Sequence, residues 1–297
     1  MHCTGRVWSV SLGVAVLMTI GLGTARPVSA ADHVVSILPL RALVAELSGN
    51  EPEAIDVIVG PGATPALYEP TARQMVGLSR ARALFVVGVP FETTFLPRVR
   101  ARFSDLRIVD VAAGMERDEL PEVGHEDHGH AHELDPHLWT DPQRVLRMID
   151  TIAVALAELE PDEARAIAMR RDAMRARWEA LDREIEAATE DVQPRVIAVF
   201  HPAFGYFAAR YGFLQVAVQA GGTEAGARHM TDLARRVREL GVDRLFVQPQ
   251  FSPQRARTIA RSLGVEVVEI DPLDPDTPGM LRRLASLLAG APSGARH

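Results

Sequence analysis

Short apolar runs alternate with helical stretches along this chain, and this alternation constrains its fold more than any other feature. Most of the runs are continuously apolar and rich in β-branched residues, which is typical of parallel strands covered on both faces. Helical patterns lie between them, for example at 39–48 and 231–240. Strands that alternate with helices predict βαβ units, and therefore a parallel sheet in each half of the chain. The predicted strands are 33–38, 55–59, 83–87, 106–110, 195–200, 214–218, 243–247 and 265–270.

A long stretch without glycine separates the two halves. It runs from Asp141-Pro142 to about Ala188 and contains one further proline, Pro161. Aspartate followed by proline favours a helix start, and Pro161 predicts a second helix after a short break. The fold class predicted is α/β, with two (β/α) lobes whose parallel sheets are joined by a long rigid helix. The expected division is an N-terminal lobe at 31–140, a connecting helix region at 141–190 and a C-terminal lobe at 191–292.

The first thirty residues have the pattern of a secretory signal peptide. An apolar run from Val7 to Gly23 is followed by the small residues Val28 and Ala30, where a signal peptidase would cut. A membrane anchor is the alternative, but the run is shorter than the roughly 20 residues of a helical span, and Arg26-Pro27 interrupts it. We therefore expect a signal peptide at 1–30 and a periplasmic location.

Cysteine content and charge limit which ligands this chain could use in a metal site and which partners it could bind. The only cysteine is Cys3, inside the predicted signal peptide, so a metal site elsewhere would use histidine, aspartate or glutamate. The formal net charge is −7, which disfavours nucleic-acid binding and is compatible with cation binding.

Histidines are concentrated in one segment, a histidine-rich loop at 125–137. Half of the ten histidines in the chain fall there. The last of them, His137, stands in the segment Asp135-Pro-His, just before the predicted long helix. The other four could belong to a built site, or they could form a tract that binds only additional, weak metal. They are His125, His128, His130 and His132.

Two other metal-ligating residues follow predicted strands of the second half. His201 comes directly after the strand at 195–200, and Asp271 directly after the strand at 265–270. Ligands of open parallel sheets bind beyond the carboxyl ends of the strands, so both side chains should project from the same edge. Each residue alone is typical of an ordinary loop. With His137 approaching from the other lobe, they predict a metal site in the cleft between the lobes.

The motifs of this chain resemble those of the periplasmic metal-binding receptors of bacterial ABC importers, the zinc/manganese class of solute-binding proteins. The matching segments span almost the whole chain after residue 30. They are Ile37-Leu-Pro-Leu40, Pro65-Ala-Leu-Tyr-Glu-Pro70, Asp135-Pro-His-Leu-Trp-Thr-Asp-Pro142, Phe200-His-Pro-Ala-Phe204, Tyr211-Gly-Phe213, Gln248-Pro-Gln-Phe251 and Ile270-Asp-Pro-Leu273.

The resemblance implies two (β/α) lobes, a rigid connecting helix and one divalent ion between the lobes. Its ligand positions fall on Ala66, His137, His201 and Asp271. At the first of these the family has histidine, so one imidazole is missing, and where the family often has glutamate this chain has Gln248. The candidates for an additional ligand are His132, which a short loop could return to the ion, and Glu69.

The resemblance also implies an exported receptor that delivers its ion to a membrane permease. Two histidines and a carboxylate favour Zn²⁺ over Mn²⁺ or Fe²⁺, because the intrinsic affinity order does so. A manganese or ferrous iron receptor, a surface adhesin and a metal-dependent hydrolase are the alternatives. No HExxH pair or supported Ser/His/Asp arrangement is present, so we expect no enzyme. The expected partners are the permease and the metal ion, with the protein itself a monomer.

Overall fold

The first half of the computed structural model forms a four-stranded parallel sheet. The structure describes residues 32–120, 134–219 and 227–290, together with residue 2. The strand order is β2-β1-β3-β4. The strands are β1 (His33–Ile37), β2 (Asp56–Val59), β3 (Ala83–Val86) and β4 (Arg107–Asp110). The helices between them are α1 (Leu38–Ser48), α2 (Ala72–Leu78) and α3 (Pro90–Arg102).

A second parallel sheet repeats this arrangement, with the order β6-β5-β7-β8. Its strands are β5 (Val196–Val199), β6 (Leu214–Ala217), β7 (Arg244–Val247) and β8 (Glu266–Glu269). The later helices are α6 (Gly205–Tyr211), α7 (Ala227–Glu239), α8 (Pro253–Leu263) and α9 (Thr277–Leu288). The prediction of two α/β lobes is confirmed, and each predicted strand is present with its ends shifted by at most one residue. We keep the lobe boundaries at 31–140, 141–190 and 191–292 as a proposal.

Two long helices connect the sheets, α4 (Pro142–Leu159) and α5 (Ala164–Thr189). Asp141 caps α4, because its side chain accepts a hydrogen bond from the backbone N–H of Gln143 at 2.9 Å, and Pro142 occupies the first turn. A short 3-10 turn at Pro161–Glu163 separates the two helices, as Pro161 predicts. Helix α4 packs along α5, and α5 in turn contacts α1 of the first lobe and α9 of the second.

The connection is rigid because the hydrophobic core runs through it. One continuous cluster of buried residues joins the first sheet, the helix pair and the inner face of the second sheet; it includes Val35, Ile152, Trp178, Phe204 and Leu281. A wide hinge motion would expose this shared apolar surface to water, which is unfavourable. In the described part of the chain, no helix is long and apolar enough to cross a membrane.

A buried carboxylate fixes the turn that leaves β3. Glu92 is 2% exposed and accepts hydrogen bonds from the backbone N–H groups of Val87 (3.3 Å) and Gly88 (2.6 Å). Burial raises the pKa of Glu92 to about 7. Gly88 has a φ of +84°, and Arg117 packs where a side chain at that position would lie, so only glycine fits. This turn supports the loop that carries Ala66, since Phe91 N–H donates to the carbonyl of Pro65 at 3.1 Å.

Candidate metal centre

The second sheet brings its candidate residues to one edge. In the parallel register, Val199 of β5 pairs with Phe246 of β7, and Phe246 pairs with Val268 of β8. His201 and Asp271 follow β5 and β8 shortly after these positions, at the carboxyl ends of the strands. The strand-end argument from the sequence therefore applies to the folded chain.

His137 lies on the segment that leads into α4 and is held by its own neighbour. Its ring Nδ1 is 2.7 Å from Oδ1 of Asp135, and its backbone N–H donates to the same oxygen at 2.9 Å. Asp135 is 3% exposed and His137 is 8% exposed. Because a carboxylate oxygen accepts, the proton of a neutral imidazole belongs on Nδ1, which leaves the Nε2 lone pair available to a metal.

His201 faces His137. The centroids of the two imidazole rings are 5.3 Å apart, at an interplanar angle of 74°. The side chain of Gln219 lies beside His201, and the ring of Phe251 packs 5.8 Å from the His201 ring. Burial, and after it the neighbouring His137, lower the pKa of His201 to about 3. The ring is therefore uncharged at neutral pH, and a neutral imidazole is the form that binds metal.

Asp271 is close to this pair in the fold but is engaged elsewhere. Its Oδ1 accepts from Gln250 Nε2 at 2.9 Å and from the backbone N–H of Leu273 at 2.9 Å. Trp139 links the segment of Asp271 to His137. Its Nε1 donates to the carbonyl of Pro272 at 2.6 Å, and its ring lies 5.3 Å from that of His137. Among the described residues, no three His, Cys, Asp or Glu side chains are grouped so that they could share one ion. The structure thus pairs His137 with His201 and does not group Asp271 with them.

The remaining candidates are not part of the pair. Ala66 and Glu69 are exposed on the loop between β2 and α2. The four histidines of the loop, His125, His128, His130 and His132, lie outside the described residues, as does the predicted signal peptide apart from residue 2.

Asp135 and Gln219 are the residues around the pair that sequence reasoning did not single out. The sequence did contain a signal for Asp135. An aspartate side chain commonly accepts a hydrogen bond from the backbone N–H two residues later, and here that residue is His137. Gln219 follows β6 and approaches His201 from a different strand, so no local pattern indicates it. Gln248 is also near, since its Nε2 donates to the carbonyl of His201 at 3.0 Å while its buried Oε1 has no hydrogen-bond partner.

Replacing Asp135 should weaken metal binding without removing a ligand. We expect Asp135→Asn to lower zinc affinity about 10- to 100-fold, the usual effect of losing a carboxylate that orients a metal-binding histidine. Competition titration against a zinc chelator measures this effect. Asp150→Asn is the control, because Asp150 pairs with Arg175 on the solvent side of α4. Equal affinities for the two variants would contradict the orienting role.

Comparison with known protein families gives a match over most of this chain. The model of the family described as zinc-uptake complex component A, periplasmic (ZnuA), matches residues 34–289. The zinc-binding lipoprotein AdcA of Streptococcus pneumoniae is 24% identical over 250 residues, covering 81% of this chain and 50% of the relative. The high-affinity zinc uptake system protein ZnuA of Brucella abortus is 31% identical over 165 residues, covering 52% of this chain and 49% of the relative.

A solved structure supports the likeness over nearly the full length. A zinc-bound deletion mutant of ZnuA superposes with a TM-score of 0.80 and 30% sequence identity, covering 91% of this chain and 100% of that chain. The chain spans about half the length of the curated relatives described above.

Proposed function

Because this chain belongs to the ZnuA family of periplasmic zinc-uptake components, we propose that it is an exported receptor that binds Zn²⁺ and delivers it to the permease of an ABC importer. The family is one of solute-binding receptors and not of enzymes. We extend this to the chain itself, which acts by binding and release, as a monomer, without catalysis.

The observation that carries this proposal is a pair of adjacent imidazoles, of which that of His137 is buried and that of His201 is half-buried. Asp135 fixes the ring of His137 by a hydrogen bond, and the ring of His201 lies against those of His137 and Phe251. Fixing a ring in advance lowers the entropy that metal binding would otherwise cost. Zinc accepts nitrogen and oxygen ligands, and the carboxylate of Asp271 would add an oxygen if it left its hydrogen bonds with Gln250 and Leu273.

Zinc is the metal that such a donor set favours. Manganese and ferrous iron bind the same nitrogen and oxygen donors more weakly, and their sites in proteins lean toward oxygen. The chain has no cysteine outside residues 1–30, so histidine supplies the donors that most favour zinc. A manganese or ferrous iron receptor is the second candidate on the same scaffold.

Metal analysis of the purified chain without residues 1–30 tests the proposal. We expect one tightly bound zinc per chain by mass spectrometry, and zinc should displace manganese and ferrous iron in competition. A chain that binds no metal would refute the receptor role, and a preference for manganese would refute the choice of zinc. Uptake of labelled zinc should also fall in cells that lack the protein.

We further propose that the histidine-rich loop supplies the ligand that Ala66 cannot. His132 is the first candidate, since it lies five residues before His137 and an extended chain covers about 3.3 Å per residue. A variant with all four loop histidines changed to alanine should bind its first zinc at least tenfold more weakly, a loss of the size that even an outer-shell partner causes. Zinc titration measures this effect. Glu69→Gln is the matched variant, and unchanged affinity in the loop variant would exclude the loop.

A further inference from the structure

One tyrosine hydroxyl joins the two segments that carry the paired imidazoles. Tyr206 is 2% exposed, and its hydroxyl donates to the carbonyl of Asp135 at 2.9 Å. The same oxygen accepts a hydrogen bond from the backbone N–H of Asp118 at 3.0 Å. The hydroxyl therefore has one partner beside the metal centre and one in the segment that follows the first sheet.

The position of Tyr206 along the chain makes this contact important for the pair. Tyr206 lies in α6, five residues after His201, and the carbonyl it binds lies two residues before His137. A rigid phenol with two rotatable bonds thus spans the gap between the two ligand-bearing segments. The length of the Tyr206 side chain therefore contributes directly to the distance between the two imidazoles, whose centroids are 5.3 Å apart.

The aromatic ring of Tyr206 is also held in place by a charged neighbour. The guanidinium of Arg144, from α4, lies 4.0 Å from the centre of the Tyr206 ring, a cation–π contact. Arg144 also donates to the carbonyl of Glu116 at 2.6 Å. Burial raises the pKa of Tyr206 to about 12, so the hydroxyl keeps its proton and can donate at every physiological pH.

We infer that Tyr206 is a positioning residue of the metal centre: its hydroxyl sets the separation of His137 and His201 and ties that separation to the first lobe through Asp118. The inference rests on the proposed function, because it concerns the geometry of the same site. A shift of the first lobe would move Asp118 and, through this hydroxyl, change the distance between the two imidazoles. Because that distance determines how well the pair holds an ion, Tyr206 also controls how fast the ion leaves.

Tyr206→Phe is the test, since it removes only the hydroxyl. Tyr211→Phe is the matched control, because Tyr211 is a buried tyrosine on the same helix whose hydroxyl donates to Asp182 at 2.8 Å, in a separate hydrogen-bond network. Both variants should melt at a lower temperature than the parent protein. Cobalt(II) substitution reports the coordination geometry by visible absorption, and stopped-flow transfer of zinc to a chelator reports its release rate.

We expect Tyr206→Phe to change the cobalt spectrum and to release zinc about tenfold faster, while Tyr211→Phe keeps the spectrum and release rate of the parent. An unchanged spectrum and release rate in Tyr206→Phe would overturn the inference, and so would equal changes in both variants. If the parent protein binds neither cobalt nor zinc, the proposed function itself fails, and that outcome is distinct from the others.

Discussion

Changing either imidazole of the pair to alanine should abolish stoichiometric zinc binding. His137 and His201 are the two imidazoles that the fold places side by side, and their ring centroids are 5.3 Å apart in an edge-to-face arrangement. Loss of an outer-shell partner already costs about 10- to 100-fold in metal affinity, so loss of a direct ligand should exceed about 100-fold. We expect His137→Ala and His201→Ala each to leave less than a tenth of the bound zinc after dialysis.

The measurement is bound zinc per chain by mass spectrometry, with the melting temperature recorded for each variant. His33→Gln is the control, because it removes a buried imidazole that pairs with Glu160 at the opposite end of the first sheet. This control should keep its zinc. A tightly held equivalent of zinc in His137→Ala or in His201→Ala would show that the ion binds elsewhere.

Removing the carboxylate of Asp182 should cause a large loss of stability. Asp182 is 4% exposed in α5 and links three helices. It accepts hydrogen bonds from Arg210 (2.5 Å and 3.0 Å), from Tyr211 (2.8 Å) and from Gln143 (2.7 Å). Burial alone would raise the pKa of Asp182, but these hydrogen bonds outweigh it and hold the pKa below its usual value.

Asp182→Ala leaves a guanidinium, a phenol and an amide without their acceptor. Removing one partner of a buried charge pair costs about 3–5 kcal/mol, and the partial exposure of Arg210 places the expected loss near the lower end, about 3 kcal/mol. Urea unfolding at neutral pH measures it. Glu184→Ala on the same helix is the control: it removes an exposed pair with Arg282 and should cost at most about 1 kcal/mol. Similar losses in both variants would mean that the network contributes no more than a surface pair.

The arrangement of strands and helices was predictable because it depends on local patterns. Continuously apolar runs indicate strands covered on both faces, and the buried strands β3 and β5 have this pattern. Asp141-Pro142 and Pro161 mark helix boundaries through capping and the fixed φ of proline, and both boundaries are where the sequence predicts them. Where the helix signal was weaker, the predicted start was less accurate. Helix α7 begins at Ala227, four residues before the predicted start.

The candidate site was predictable only in outline. The strand-end rule indicates the edge at which His201 and Asp271 lie, because topology alone fixes that edge. It does not indicate that Asp271 turns toward Gln250, since the choice of rotamer depends on a neighbour from another loop. Asp135 could be inferred from its spacing to His137, but the contacts of Gln219 and Tyr206 link residues far apart in the sequence.

By itself, the sequence determined the two parallel-sheet lobes, the helical connection and the identity of the candidate ligands, because periodicity, proline and residue type act over a few neighbouring positions. The tertiary structure alone decided which candidates meet. It brings His137 and His201 together, restrains His137 with Asp135, and joins their segments through Tyr206. The physical reason is that side-chain distances across a cleft depend on how whole elements pack, and packing sums many contacts that no local pattern contains.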